Sequence, residues 1–360
     1  MVYATLTGQR RSSHITALCG DSVMAGLFGV DSFRREDSIR RVLEDADEDA
    51  IIAWIAQQMD RTFAPMLEQE WVLDLDATIK TLYGRQEEAR VGYNPTKPGR
   101  PSHVYQVMVL AAGKLVLNVD TQAGNQSASQ YAQPTRWGWL DARDRKLWPT
   151  FLRGDIAHAN EKMMAGAEER QLPYLFQPRQ TQNVARTIAR LAKNKKAEWQ
   201  AAGQGWEGSE TELPLRGWRR QRRVVVLLRK LAETPVKAAG RGGAQACLPG
   251  TVVEQANGVC HEYAVLVTSW EQSDSRVLAQ AYRDRADAEN MFDALNNQWG
   301  RTGCTTKHRK RSQLMARLVA LNYNGGDLYA NGDGGTAQGG DYDSAVTDGP
   351  GGTADHSCPN

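Results

Sequence analysis

The order of its β-rich runs constrains this chain most. "EWVLDLDATIK" (Glu70 to Lys80) sets Trp71, Leu73 and Leu75 against Val72, Asp74 and Asp76, the period-two signature of a strand. "HVYQVMVLAAGKLVLNVDTQAG" (His103 to Gly124) gives two further β-rich runs around Ala112-Gly113, a hairpin. These three runs read as antiparallel. Then "LWPTFLRGDIAHANEKMMAGAEERQLPYLFQ" changes period. It reads as a strand ending near Asp155, a helix from about Asn160 to Arg170, and a strand at Tyr174 to Gln177. A strand–helix–strand unit favours parallel pairing, because a tight turn cannot return the chain to the same end. The expectation is a mixed α/β sheet, three strands antiparallel and the next two parallel.

The flanks differ in character. From Asp37 to Phe63, apolar residues recur at helical spacing (Ile39, Val42, Leu43, then Ile51, Trp54, Ile55, Met59) and stop before Pro65. This predicts a helical N-terminal segment over 1–69, followed by the first part of the sheet domain over 70–180. "GYNPTKPGRPSH" (Gly92 to His103) is a Gly/Pro loop. Over 181–275 a basic helical run, the loop "GQGWEGSE" and β-branched runs suggest an inserted β-rich module. Residues 276–323 return to helix, ending in "RSQLMARLVALNY". Over 324–360 Gly, Asp, Ser and Thr dominate and no Lys or Arg follows Arg317, so a disordered tail is expected.

Charge is informative only in its distribution. Lys+Arg total 44 against 42 Asp+Glu, so net charge names no partner. Basic residues gather between Lys193 and Arg223 and in "KHRKR" (Lys307 to Arg311), which suits one anion-facing surface. The five cysteines are scattered without CxxC spacing, which argues against a disulfide framework or structural zinc and for a reducing compartment. No run approaches the roughly 20 apolar residues of a membrane span, so the cytoplasm is the expected location.

"YRDRADAENMFDALNNQWG" (Tyr282 to Gly300) reads as one helix whose Tyr282, Arg285, Glu289 and Asn296 lie within about 60° of one another. Ala288, Met291, Phe292, Leu295 and Trp299 occupy the adjacent, buried arc. Such a stripe is either a solvated face with an Arg285–Glu289 pair or a site.

Four acids are candidates for chemistry. Asp74 and Asp76 share a strand face, Asp155 ends a strand, and Glu289 projects from the later helix. Converging carboxylates repel one another unless cations intervene, and they are what hard divalent ions require. Two such ions about 3.5–4 Å apart serve in-line phosphoryl displacement. Singly, each acid has a plainer role: Asp155 as a cap or turn former, Asp74 as a satisfied structural carboxylate.

Seven segments carry a resemblance: "LDLDATIKTLYGRQE", "GYNPTKPGRPSH", "QAGNQSAS", "LRGDIAHANEKMM", "GQGWEG", "YAVLVTS" and "YRDRADAENMFDALNNQWG". In this order, over most of Asp37 to Asn324, the chain resembles bacterial insertion-sequence transposases of the DDE, cut-and-paste class. The branch is the one with a β-strand insertion in an RNase H-like catalytic domain. The resemblance implies an RNase H-like mixed sheet with flanking helices, interrupted by that insertion. It implies Asp76, Asp155 and Glu289 as the catalytic, metal-binding triad holding two Mg²⁺, with Mn²⁺ as the alternative ion. Asp76 is preferred to Asp74 because Ala77-Thr78 follow it as in the family. Tyr282 and Arg285 match a Tyr-Arg-Glu-Lys signature and would contact the DNA backbone; Asn296 stands where the family has Lys, which removes a charge.

The implied partners are double-stranded DNA, as terminal inverted repeats and as target, and a second copy of the chain on that DNA. Trp206 and Trp218, beside Arg216, Arg219, Arg220, Arg222 and Arg223, either fill the insertion's core or offer a stacking platform for an unpaired base. Lys97 and Arg100 touch DNA or stiffen a structural loop, and His158 is more often a polar surface residue than a base. Family members carry sequence before the segment that starts here and an aromatic helical segment where this chain has Gly325-Gly326. A truncated DNA-binding remnant that blocks transposon ends is therefore the alternative function. A nuclease acting on other DNA structures is a third.

Overall fold

The computed structural model describes residues 12–126, 133–231, 252–256, 259–271, 273–286, 290, 291, 295 and 306–332. Its frame is one mixed sheet. Strand β1 (Val72–Thr81) pairs antiparallel with β3 (Pro101–Leu110), from Leu73↔Leu110 to Thr81↔Ser102. Strand β2 is the two-residue Arg90–Val91 on β3. Strand β4 (Leu115–Ala123) closes the expected hairpin with β3 through a turn at Ala111–Lys114, where Lys114 has φ +50°. On the other side of β1, β5 (Phe151–Gly154) and then β6 (Tyr174–Phe176) run parallel to it. The order β4-β3-β1-β5-β6, three antiparallel strands and two parallel, is RNase H-like.

Helices flank this frame where apolar periodicity demands cover. Glu48–Phe63 begins at Asp47, whose side chain accepts from the backbone of Asp49 and Ala50, and it buries Ile55, Met59 and Phe63. Glu161–Glu169, capped by Asn160, is the β5–β6 crossover and buries Met163, Met164 and Ala167. These residues join Leu73, Leu75, Val107, Leu152 and Phe176 in the main core. From Ser102 to Leu110, β3 is buried at every position, as a strand covered on both faces should be.

The β-rich stretch does not stand apart. Strands β7 (Gln200–Gly203), β8 (Trp206–Leu213), β9 (Arg222–Leu231), β10 (Val252–Ala256) and β11 (Val259–Thr268) extend the same sheet. The join is antiparallel, Val267↔Phe176 and Thr268↔Leu175. Arg222 fastens it: its guanidinium donates to Glu161 Oε2 (2.7 Å) and Glu168 Oε1 (2.8 Å), and Tyr174 donates to the same Glu168 oxygen (2.8 Å).

The final helix, Arg309–Gly332, runs past Asn324 through Gly325-Gly326, so residues 325–332 are helical where a disordered tail was expected. Its polar stripe explains its position. Strand β4 is an outer strand with unpaired backbone groups, and Arg309, Arg317 and Asn324 satisfy them. Arg309 Nη1 donates to the Thr121 carbonyl (2.8 Å) and Arg317 Nε to the Val119 carbonyl (2.9 Å). The buried Asn324 amide accepts from Val116 N and donates to Val116 O, both 2.9 Å. Asn324→Ala strands both of these buried backbone groups, so it should cost roughly 2–4 kcal/mol in urea unfolding. A loss below about 0.5 kcal/mol would show that the helix docks by apolar contact alone.

Candidate active site

Strand β1 ends its parallel pairing with β5 at Leu75↔Gly154. The next residues are Asp76, midway along β1, and Asp155, just past the end of β5, so two carboxylates stand on neighbouring strands where their parallel pairing stops. Topology enforces this: in a parallel pair, successive carboxyl ends open on the same edge of the sheet.

Asp155 is held by one oxygen. Its Oδ1 accepts from Ala157 N (3.0 Å) and from the His158 ring, Nδ1 at 2.8 Å. Burial pushes this carboxyl up, but the His158 hydrogen bond, then the Arg285 charge and the Ala157 N–H, hold it below the usual carboxylate range. The acid is ionised at neutral pH. His158 is fully buried against Gly154, where a Cβ would come within 2.9 Å of the His158 Cβ and 3.0 Å of its ring. Burial, then the nearby Arg136 charge, push the imidazole down, so it is neutral and donates Nδ1–H. The polar surface residue expected from sequence is a buried brace for Asp155.

Asp76 takes a backbone hydrogen bond from Ala77 N (2.8 Å) and an ion pair from Arg285, Nη2 to Oδ1 at 3.2 Å. Arg285 is buried. Desolvation pulls its pKa down, but Asp76, Asp155 and neighbouring oxygens outweigh that and leave it raised. The guanidinium supplies here the positive charge that two adjacent carboxylates need.

Asp74 is different. It is 1% exposed, and Arg153 grips it through Nε–Oδ1 at 2.5 Å and Nη2–Oδ2 at 2.7 Å. Both oxygens are occupied by a partner that is itself buried, which fits the plainer reading of Asp74 as a satisfied structural carboxylate rather than a metal ligand. The remaining Arg153 nitrogen, Nη1, donates to the Ala281 carbonyl (2.5 Å).

That contact leads to the next element. Helix Ser275–Arg283, capped by Asp274, ends at Asp284, whose N–H meets the carbonyls of Gln280 and Tyr282. Tyr282 and Arg285 therefore do not share one uninterrupted helix as the spacing predicts. Tyr282 sits on the last turn and donates to Gln177 Oε1 (2.9 Å), just past β6, while Arg285 lies in the turn beyond. Both still reach the carboxyl edge of the sheet. Glu289 and Asn296 lie outside the described residues.

The tryptophan expectation divides. Trp206 is 3% exposed, packed among Ala202, Leu227 and Ala279 with the Arg229 guanidinium 4.8 Å from its ring centre. It fills the core and offers no face to a base. Trp218 is half-buried beneath Arg222, 5.3 Å from its ring centre. Arg220 pairs with Glu168 (2.9 Å), Arg223 donates to Glu210 (2.9 Å), and Arg219 is exposed. Much of the basic block is thus consumed by acids. In the Gly/Pro loop, Asn94 bonds Thr81 (2.9 Å) and Lys97 N (3.0 Å), and Arg100 lies over the Tyr83 ring (5.6 Å), which fits the structural reading of that loop.

Arg136 escaped the sequence reading. It is 3% exposed, bonds Gln106 Oε1 (2.7 Å), and leaves Nε and Nη1 without a partner near Asp120, Asp155 and Asp76. Burial lowers its pKa to about 10, against the pull of those acids. An Arg in the short segment "QPTRWGWLD" carries no signal of such burial.

Among the described residues, no group of three or more His, Cys, Asp or Glu is placed to hold an ion. Asp76 and Asp155 contribute hard oxygen donors, the chemistry that Mg²⁺ or Mn²⁺ takes. Both hydrogen bonds to the Asp155 side chain from the described residues fall on Oδ1, which leaves Oδ2 beside it for an ion. The donor set fits such an ion. Among the described residues no helix is long and apolar enough to cross a membrane.

Comparison with known proteins follows the same line. No curated protein matches the chain. One solved structure, a piggyBac transposase synaptic complex with hairpin DNA, is similar at 12% identity and a TM-score of 0.43. The match covers 93% of this chain and 66% of that one, and a likeness this weak carries no argument. The family model described as "Transposase DDE domain" matches residues 67–324, from just before β1 into the final helix. The chain belongs to the DDE transposase family.

Proposed function

We propose that the chain is a DNA transposase that hydrolyses, and then transfers, strands at the inverted-repeat ends of a bacterial insertion sequence. One observation supports the reading: two carboxylates, Asp76 within β1 and Asp155 just past β5, follow the last parallel pair of those strands within the matched family region. Asp76, Asp155 and Glu289 would hold two Mg²⁺, or Mn²⁺, and the ions would supply Lewis acidity for endonucleolytic attack and strand transfer. Asp155, braced by His158, presents one oxygen in a fixed direction. Arg285 neutralises Asp76 in the free protein, and its planar fork suits a DNA phosphate once cations take over that duty. Tyr282 and Asn296 complete the backbone contacts, with Arg219 and Trp218 at the edge of the insertion. The partner is double-stranded DNA, bound by a homodimer in the cytoplasm.

The remnant alternative is not favoured, because the family region carries both Asp76 and Asp155 just beyond the last β1–β5 pair and Asp155 is held ionised. Arg285→Gln provides the test. On duplex DNA carrying the element's own terminal repeats, it should weaken binding and reduce the slope of log K against log salt by about one. The wild type should nick this DNA with Mg²⁺. Binding without any nicking would sink the enzymatic reading.

A further inference from the structure

Asp155 opens on a groove of about 510 Å³ that Ala77 and Ala157 also line. His158 and Arg136 do not reach this groove, and both are buried. Any effect they have on the reaction must therefore pass through Asp155. Each also holds polar atoms with no hydrogen-bond partner among the described residues: Nε2 of His158, and Nε and Nη1 of Arg136. Gln106, whose Oε1 accepts from Arg136 Nη2, leaves its own Nε2 in the same state. Arg136 lies close enough to His158 for its charge to act on the ring.

These atoms are complementary. A carboxylate only accepts, so the neutral His158 ring, 2.8 Å from Asp155 Oδ1 through Nδ1, carries its proton there and leaves Nε2 as an acceptor. Arg136 and the Gln106 amide nitrogen offer only donors. Two donors and one acceptor do not bond directly across a gap, but one water can accept from the donors and donate to Nε2. Internal waters satisfy buried polar groups in this way.

Resting on the transposase reading, we propose that Arg136 is a positioning residue: through a buried water shared with His158 Nε2 it fixes the imidazole, so that Nδ1–H holds Asp155 Oδ1 and leaves Oδ2 to the ion. This assignment reverses the sign that charge alone dictates. A guanidinium near Asp155 and Asp76 repels a cation bound there, so its removal should tighten metal binding. Acting through His158, its removal frees the ring and loosens binding, by the roughly 10–100-fold typical when a metal ligand loses its outer partner.

The Mn²⁺ affinity of the full chain, read by electron paramagnetic resonance without DNA, separates the two. Arg136→Met should weaken it at least about tenfold, and His158→Phe alike. His158→Asn, whose amide N–H can take the place of Nδ1–H, should stay within about threefold of wild type. In the His158→Phe background, Arg136→Met should add no further loss. Nitrogen-15 NMR of the metal-free wild type should show His158 protonated on Nδ1 alone, a readout that depends on no variant folding. A ring protonated on Nε2, or Arg136→Met binding Mn²⁺ as tightly as wild type or more tightly, overturns the positioning role and leaves the transposase reading standing. A wild type that binds no Mn²⁺ overturns both.

Discussion

Asp155→Asn should lower the rate of Mg²⁺-dependent nicking by at least about 10³-fold, while thermal unfolding shifts by no more than a degree or two. The size follows from what the carboxylate is asked to supply: loss of a metal-held charge in phosphoryl transfer removes several kcal/mol of transition-state stabilisation, and each 1.36 kcal/mol is tenfold in rate. The small stability effect follows from geometry. Both contacts to Asp155, from Ala157 N and His158 Nδ1, fall on Oδ1, and an amide oxygen can accept both. The side chain is also partly exposed, so its lost charge is screened. Asp76→Asn should behave alike, since its removal leaves Arg285 facing Asp155. Nicking that survives either change within about tenfold would remove the two acids from the chemistry.

The strand order was legible because period-two alternation and a strand–helix–strand unit each admit few pairings. Trp71, Leu73 and Leu75 do face the core, and Asp155 does follow the strand it was expected to end. Three features were not legible, each for a physical reason. The β-rich stretch joins the central sheet through Val267↔Phe176, a long-range pairing that local pattern cannot encode. The helix expected from Tyr282 is broken near its start, because a capping turn at Asp284–Arg285 separates the helix ending at Arg283 from the helical residues Ala286, Asn290 and Met291. Burial of Arg136 and His158 is the third. Polar residues are read from sequence as exposed, and only tertiary partners such as Gln106 and Asp155 reveal otherwise.

Around the acids the fold keeps cations in two roles, and this orders the site. Arg285 and Arg136 face the carboxylates that open on the groove edge, with Arg285 placed to exchange partners. Arg153 is committed: its three nitrogens are spent on Asp74 and Ala281. Asp74 and Asp76 are two residues apart on one strand face, yet only one is shut away.

That commitment makes the Asp74–Arg153 pair the place where a single substitution should damage folding most. Arg153→Ala leaves a carboxylate buried with no counter-charge, which costs about 3–5 kcal/mol. Burial already raises the Asp74 pKa against the pull of Arg153. Without that pull the acid is expected to take up a proton, and the Ala281 carbonyl also loses its donor. For a chain of this size the unfolding midpoint should drop by on the order of 10 °C. Replacing both partners by apolar residues, Asp74→Leu with Arg153→Met, should cost less than Arg153→Ala alone, because no isolated charge remains. The same variants separate the two acids by role: Asp74→Asn should lower the midpoint and leave nicking by the folded fraction within about tenfold of wild type, whereas Asp76→Asn should do the reverse. Equal loss of nicking in both, at unchanged stability, would mean that Asp74 leaves Arg153 to serve an ion, and the buried pair would have to be regarded as a resting state of the site.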